Sequence, residues 1–240
     1  MRALPALFVA ALAWAVAASA EAGALRVSPV GFNLDAARPA ASLSLQNQAA
    51  EPLTVQVRVF LWRQDGGKET LEPTKDLVAS PPFATLAAGA EQTVRLVRVG
   101  AIPASGETAY RILIDELPSA AANDGHSVTL LMRHSLPVFV AGASQQPPAV
   151  TWSLSTSTDG LAVTARNAGG KRLRLANVLL YDASGAQLAG QGGLLGYVLG
   201  GAEQTWTLAR AQGAPPAAPT RLRAETDQGA VDVVLDGVHP

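Results

Sequence analysis

The chain contains no cysteine. That excludes disulfide braces, thiolate metal sites and thiol nucleophiles, so each domain must be held by its own buried apolar surface. Charge is also scarce, with 18 Lys and Arg against 19 Asp and Glu in 240 residues. The basic residues are scattered, which argues against a nucleic-acid footprint or a patch for anionic membranes. The sparse carboxylates form no evident acid–base pair. His126, His134 and His239 stand far apart, without metal-ligand spacing. A G-x-S-x-G elbow is missing. The stretch Gly190-Gln191-Gly192-Gly193-Leu194-Leu195-Gly196 misses the spacing of a dinucleotide loop and has no βαβ unit around it; it reads as a turn between strands. No catalytic residue, cofactor or metal centre is expected.

Long apolar runs are confined to the amino terminus. Met1-Arg2 supplies a positive start, and Ala3 to Ala18 is apolar apart from Pro5. Ala18-Ser19-Ala20 reads as a cleavage site before Glu21, with Ala20-Glu21-Ala22 as the alternative. The run is shorter than the ~20 residues that a bilayer-spanning helix needs. Residues 1–20 are therefore expected to be a cleaved secretory signal peptide, and the mature chain is expected not to insert into a membrane.

What the sequence has in abundance is period-two alternation. Ala41–Asn47, Thr54–Val59 (running on into Phe60, Leu61 and Trp62), Thr93–Arg98 and Ala109–Ile114 place apolar and polar residues in turn, as strands with one buried face do. Breaker clusters separate them at Gln64-Asp65-Gly66-Gly67, Ser80-Pro81-Pro82, Ala87-Ala88-Gly89 and Ala101-Ile102-Pro103. No helix is expected after the signal. Gln145-Gln146-Pro147-Pro148 reads as a stiff linker. Strands then resume at Val150–Leu154, Gly160–Asn167, Arg172–Asp182, Glu203–Leu208, Arg221–Glu225 and Ala230–Leu235. The pattern predicts an all-β chain with two β-sandwich domains, 23–145 and 149–240.

One segment departs from ordinary strand patterning. Ser127 to Val140 is long for a strand. Val128, Leu130 and Met132 lie on one face, and Thr129, Leu131, Arg133 and Ser135 on the other. As the last strand before the linker it is placed for a sheet edge, where unpaired backbone groups accept another chain. Two readings stay open on pattern alone: the three apolar residues face their own core, or they fill the core of a partner.

An ordered set of motifs bears on that choice. It comprises Val57-Arg58-Val59-Phe60-Leu61-Trp62 with Gln64-Asp65-Gly66, then Ser80-Pro81-Pro82-Phe83, Ala88-Gly89 and Val94-Arg95-Leu96. Tyr110 to Pro118, Ser135-Leu136-Pro137-Val138-Phe139 and Gly196-Tyr197-Val198-Leu199 follow. Together they make the chain resemble the periplasmic chaperones of pilus assembly, the PapD-like family of the chaperone–usher pathway, with most likeness to its archaic, Csu-like branch. The resemblance implies two immunoglobulin-like β-sandwich domains set at an angle, with pilus subunits (pilins) bound along the cleft by donor-strand complementation and delivered to an outer-membrane usher. Val128, Leu130 and Met132 fall at the family's donor positions, and Arg111 matches its anchor for the subunit's carboxyl terminus.

The chain also departs from the pattern of that family. Where archaic members carry a first-strand lysine, this sequence has Asn33. The paired cations of the better-known branch are missing, their places falling at Pro29 or Val30 and near Pro137. Asn33 can donate from its amide, and Arg26 or Arg133 are further candidates, Arg133 the weaker because it points opposite to Met132. The competing functions are an immunoglobulin-like surface adhesion module and an accessory periplasmic binding protein without donor-strand activity. They would lack the apolar last strand with Arg111 beside it, or have lost its use.

Overall fold

A computed structural model describes residues 25–118 and 130–235; the expected signal segment 1–20 and Val128 lie outside them. The first sandwich contains β1 (Leu25–Ser28), β2 (Phe32–Leu34), β3 (Ala40–Asn47), β4 (Leu53–Asp65) and β5 (Lys68–Pro73). It continues with β6 (Leu77–Ser80), β7 (Phe83–Leu86), β8 (Glu91–Arg98), β9 (Glu107–Leu117) and β10 (Arg133–Ala141). The second contains β11 (Val150–Ser157), β12 (Gly160–Asn167), β13 (Leu173–Tyr181), β14 (Gln187–Val198), β15 (Glu203–Leu208), β16 (Arg221–Thr226) and β17 (Gly229–Val234). Among the described residues there is no helix, and so none long and apolar enough to cross a membrane.

Each sandwich packs two sheets. In the first, the order β1-β3-β8-β6 faces β2-β10-β9-β4-β5, with β7 also paired to β4. In the second, β11-β12-β15 faces β14-β13-β16-β17. Alternation places Leu43, Leu45, Val55, Val57, Val94, Leu96, Ile112 and Ile114 inside the first core. It places Leu161, Val163, Leu175, Val178, Leu180 and Leu222 inside the second. The Gly66-Gly67 turn between β4 and β5 has positive φ at both residues, 55° and 77°, the conformation that suits a tight hairpin to strand twist.

The same asparagine device closes both sandwiches. Asn47, fully buried, donates from Nδ2 to the carbonyls of Glu51, Leu86 and Ala87, while its Oδ1 accepts the Ala49 N–H. Asn167 does the same with the carbonyls of Lys171 and Leu199, and its Oδ1 accepts from Ala149 and Gly169. Each amide thus takes over backbone groups at the end of a strand that no ladder satisfies.

The backbones of the two sandwiches approach closely where Gly106 meets Gly170. Gly106 has φ +69°, and a Cβ there would stand 2.9 Å from the Gly170 carbonyl oxygen. Both its turn and its contact therefore require glycine.

Two sequence expectations are corrected. The glycine-rich stretch 190–196 is the interior of β14 rather than a turn. Its pairing with β13 carries bulges around Ala176 and Val178, and interior glycines mark such irregularities. Gly196 has a separate reason: a Cβ there would come 2.7 Å from Trp206 Nε1. Secondly, the last strand of the first sandwich is not continuous from Ser127, because β10 begins at Arg133 and Leu130 to Met132 precede it without regular pairing.

Candidate functional site

The strands β2, β10, β9 and β4 turn one face to the first core and the opposite face outward. Phe32, Leu34, Tyr110, Ile112, Ile114, Leu136, Val138 and Val140 point inward. The alternate residues, Asn33, Trp62, Ala109, Arg111 and Phe139, share the outer face by period two. At one end of this face Trp62, Ala109 and Phe139 form a small apolar cluster with Leu199, joined by Tyr197 and Ala202 of the second sandwich. The three rings meet edge-on or tilted, with centroids 5.4 to 6.1 Å apart, arrangements that aromatic quadrupoles favour. Ala109 lacks a bulky side chain to fill the space between them.

Gln64 ties the sandwiches together beside the rings. Its Oε1 accepts the Leu199 N–H at 2.8 Å and its Nε2 donates to the Tyr197 carbonyl at 2.8 Å. A buried amide satisfied on both ends fixes the approach of β14 to β4.

Arg111 lies across this junction. On β9 it stands opposite Phe60 of β4 and Pro137 of β10. Its guanidinium carbon is 3.7 Å from the centroid of the Trp62 ring, and the side chain is only 17% exposed. Its one ion pair among the described residues is with Glu69, at 3.9 Å, too long for a hydrogen bond. Burial pulls the guanidinium pKa down from its usual value, against the upward pull of Glu69 and Tyr197. The cation is therefore desolvated, held over the ring and short of anionic partners. Neither Asp115 nor Glu116, farther along β9, is its partner: Asp115 takes Arg58 and Arg133, and Glu116 accepts the Met132 N–H.

Asn33 shares the face of Arg111 but is not beside it. It pairs with Phe139 on the far side of β10, two strand spacings, about 10 Å, from β9. Arg111 leans the other way, toward β5. Asn33 Oδ1 accepts a hydrogen bond from Arg172 Nη2 at 2.8 Å, which leaves the amide N–H groups directed elsewhere. Arg172, from the second sandwich, also pairs with Glu107 and stacks 3.6 Å from the Phe139 ring. The other candidates for a second cation are placed away from Arg111. Arg133 is committed to Asp115, and Arg26 lies on β1 of the opposite sheet.

The stripe that fills the core from β10 runs out of the sandwich. Leu136, Val138 and Val140 are buried, yet Leu130 and Met132, of the same parity, are 80% and 42% exposed. The Glu116 N–H donates to the Met132 carbonyl at 3.0 Å, so the chain still follows β9 there. On its other side β10 is paired, among the described residues, at Val138–Val140, where β2 runs parallel to it. Among the described residues no strand pairs with that edge from Arg133 to Leu136.

Sequence reasoning did not point to Gln64, Glu69 and Arg172, which the structure places beside Arg111 or Asn33. Gln64 meets Tyr197 across 133 positions, and no local spacing announces such a contact.

Residues 24–145 match the family described as pili and flagellar-assembly chaperone, PapD N-terminal domain. No curated protein matches the sequence significantly. Several solved structures share the fold. The CsuC–CsuE chaperone–tip adhesion subunit pre-assembly complex of archaic Csu pili from Acinetobacter baumannii matches with a TM-score of 0.67 and 23% identity over 90% of this chain and 100% of that one. The Salmonella enterica SafA pilin in complex with the SafB chaperone gives 0.59 and 19% over 88% and 96%. The Pseudomonas aeruginosa CupB2 chaperone gives 0.55 and 16% over 88% and 100%.

Proposed function

Since the chain belongs to the PapD family of pilus and flagellar-assembly chaperones, we propose that it captures a pilus subunit on the open edge of β10 and seats the subunit's terminal carboxylate on Arg111. The observation that carries this reading is the exposed apolar run just before β10, in which Leu130 and Met132 share the sequence parity of the core residues Leu136, Val138 and Val140 yet face solvent. A subunit lacking a strand would present a groove for those side chains, and the unpaired backbone of Arg133–Leu136 would add the missing ladder. Val128 extends the same parity and belongs to the proposed donor set. Covering each such side chain contributes about 1.5–3 kcal/mol before ordering costs. Alternation sets the register, since a slip of one residue would turn the apolar set outward.

Arg111 suits the carboxylate because its planar fork can bond both oxygens, and it stands in the cleft with no described acid within hydrogen-bonding distance. Asn33, held by Arg172 on the far side of β10, would serve a different part of the subunit. The place of action is the periplasm, reached after signal cleavage, and an outer-membrane usher is the recipient of the captured subunit.

Co-production with the cognate subunit tests the reading. Wild type should yield a soluble 1:1 complex, and Leu130→Asp with Met132→Asp should abolish it in a protein that still folds. Unchanged subunit recovery would rule out the donor segment. Arg111→Ala should weaken capture far more than Arg133→Ala; equal, negligible effects would remove the anchor.

A further inference from the structure

We propose that Glu69 is a resident stand-in for the subunit's terminal carboxylate, holding Arg111 in the free chaperone and giving way when the subunit arrives; this rests on the anchoring role proposed for Arg111. Glu69 stands directly opposite Gln64 in the β4–β5 ladder, so it shares the outer face with Trp62 and Arg111. Its Oε2 is 3.9 Å from Arg111 Nη2, and its Oε1 accepts from Gln64 Nε2 at 3.2 Å. One carboxylate thus bridges the cation and the amide that joins the two sandwiches.

The pair is unequal. Arg111 is 17% exposed and lies over the Trp62 ring, whereas Glu69 is 43% exposed on an edge strand whose residues all face solvent. The cation is fixed and the acid has room to move. The long contact offsets part of the charge of a desolvated guanidinium without saturating its five N–H donors. An incoming terminal carboxylate is not tied to β5 and can approach the fork squarely, with both oxygens bonded. Until Glu69 leaves, its charge repels that carboxylate. A free anion gains only the exchange of one carboxylate for another, whereas a ligand that also pairs with β10 brings the contacts that drive the exchange. Glu69 would therefore select for a carboxylate attached to a strand.

The test uses a synthetic peptide of alternating apolar and polar residues, prepared with a free terminal carboxylate and as the carboxamide. Calorimetric titration would compare wild type, Glu69→Gln and Arg111→Ala in the full mature chain. Glutamine keeps the size of Glu69 and its acceptor for Gln64 while removing the charge. Wild type should prefer acid to amide. Glu69→Gln should bind the acid about two- to fivefold more tightly at low salt, the range for a partly exposed ion pair, and the gain should shrink at high ionic strength. Its affinity for the amide should not change. Unchanged acid affinity, or equal weakening for both peptides, would make Glu69 a strut and overturn the proposal. If Arg111→Ala abolishes the acid preference while Glu69→Gln has no effect, only the stand-in falls. If wild type shows no acid preference, or Arg111→Ala leaves it intact, the anchor falls and the stand-in with it.

Discussion

The guanidinium carbon of Arg111 lies 3.7 Å from the centroid of the Trp62 ring, and Trp62 itself is 2% exposed. The ring is clamped by Phe139 and Tyr197, so it presents a fixed platform over which the cation is held. Position, and not charge alone, is what this pairing supplies.

Arg111→Lys should therefore impair subunit capture nearly as much as Arg111→Ala. Lysine keeps the charge but loses both the guanidinium held over the Trp62 ring, a contact of about 0.5–2 kcal/mol, and the two-pronged grip on a carboxylate. Subunit affinity measured by calorimetry for the two variants checks this; full rescue by lysine would show that charge alone suffices.

Arg172→Ala should destabilise the protein by about 3–5 kcal/mol, because it leaves a buried carboxylate unpaired. Glu107 and Arg172 have side chains only 6% and 12% exposed. Burial pushes the Glu107 carboxyl above its ordinary 4.5, although Arg172 pulls it down. A carboxyl raised on folding favours the folded state most below that ordinary value, and the contribution is lost as pH rises through the raised one. Urea midpoints measured across this window should fall with rising pH more steeply in Arg172→Ala than in wild type. Glu107→Leu combined with Arg172→Leu should recover much of the loss.

Asp115 has the opposite pH dependence. Its burial alone would raise the carboxyl, but hydrogen bonds from Arg133 and Arg58 outweigh that and bring it below the ordinary 3.8. Its contribution is present above that value and is lost as pH falls through the lowered one. The stability difference between wild type and Asp115→Asn should thus be largest near neutrality and shrink in acid. A difference that is constant with pH would show that the ion pairs carry none of it.

Asn47→Ala and Asn167→Ala should each destabilise, by about 1–3 kcal/mol for each buried polar group left without a partner. Each asparagine serves at least four backbone groups, so the total loss should exceed that of an ordinary surface substitution. Urea unfolding followed by circular dichroism should show lower midpoints with the folded spectrum retained.

Local pattern alone was enough for the two all-β sandwiches, because burial on one face imposes period two wherever a strand crosses a core. Residues such as Val55, Val57, Val94 and Leu96 announce themselves in that way. The turn Gly66-Gly67 is equally local, since positive φ selects glycine. The glycines of 190–196 misled because a bulged strand and a turn use the same residue. Exposure of Leu130 and Met132 also lay beyond pattern: apolar residues that stay in their own core and those that leave it can alternate identically, and only the place where the sandwich ends separates them. The neighbours of Arg111 were decided by tertiary structure for a related reason. Phe60, Trp62, Glu69 and Tyr197 reach it from β4, β5 and β14, and their meeting depends on strand order and on how Gln64 joins the sandwiches. Period two assigns a side chain to a face of its own strand, but it does not say which strand, or which domain, comes to lie across that face.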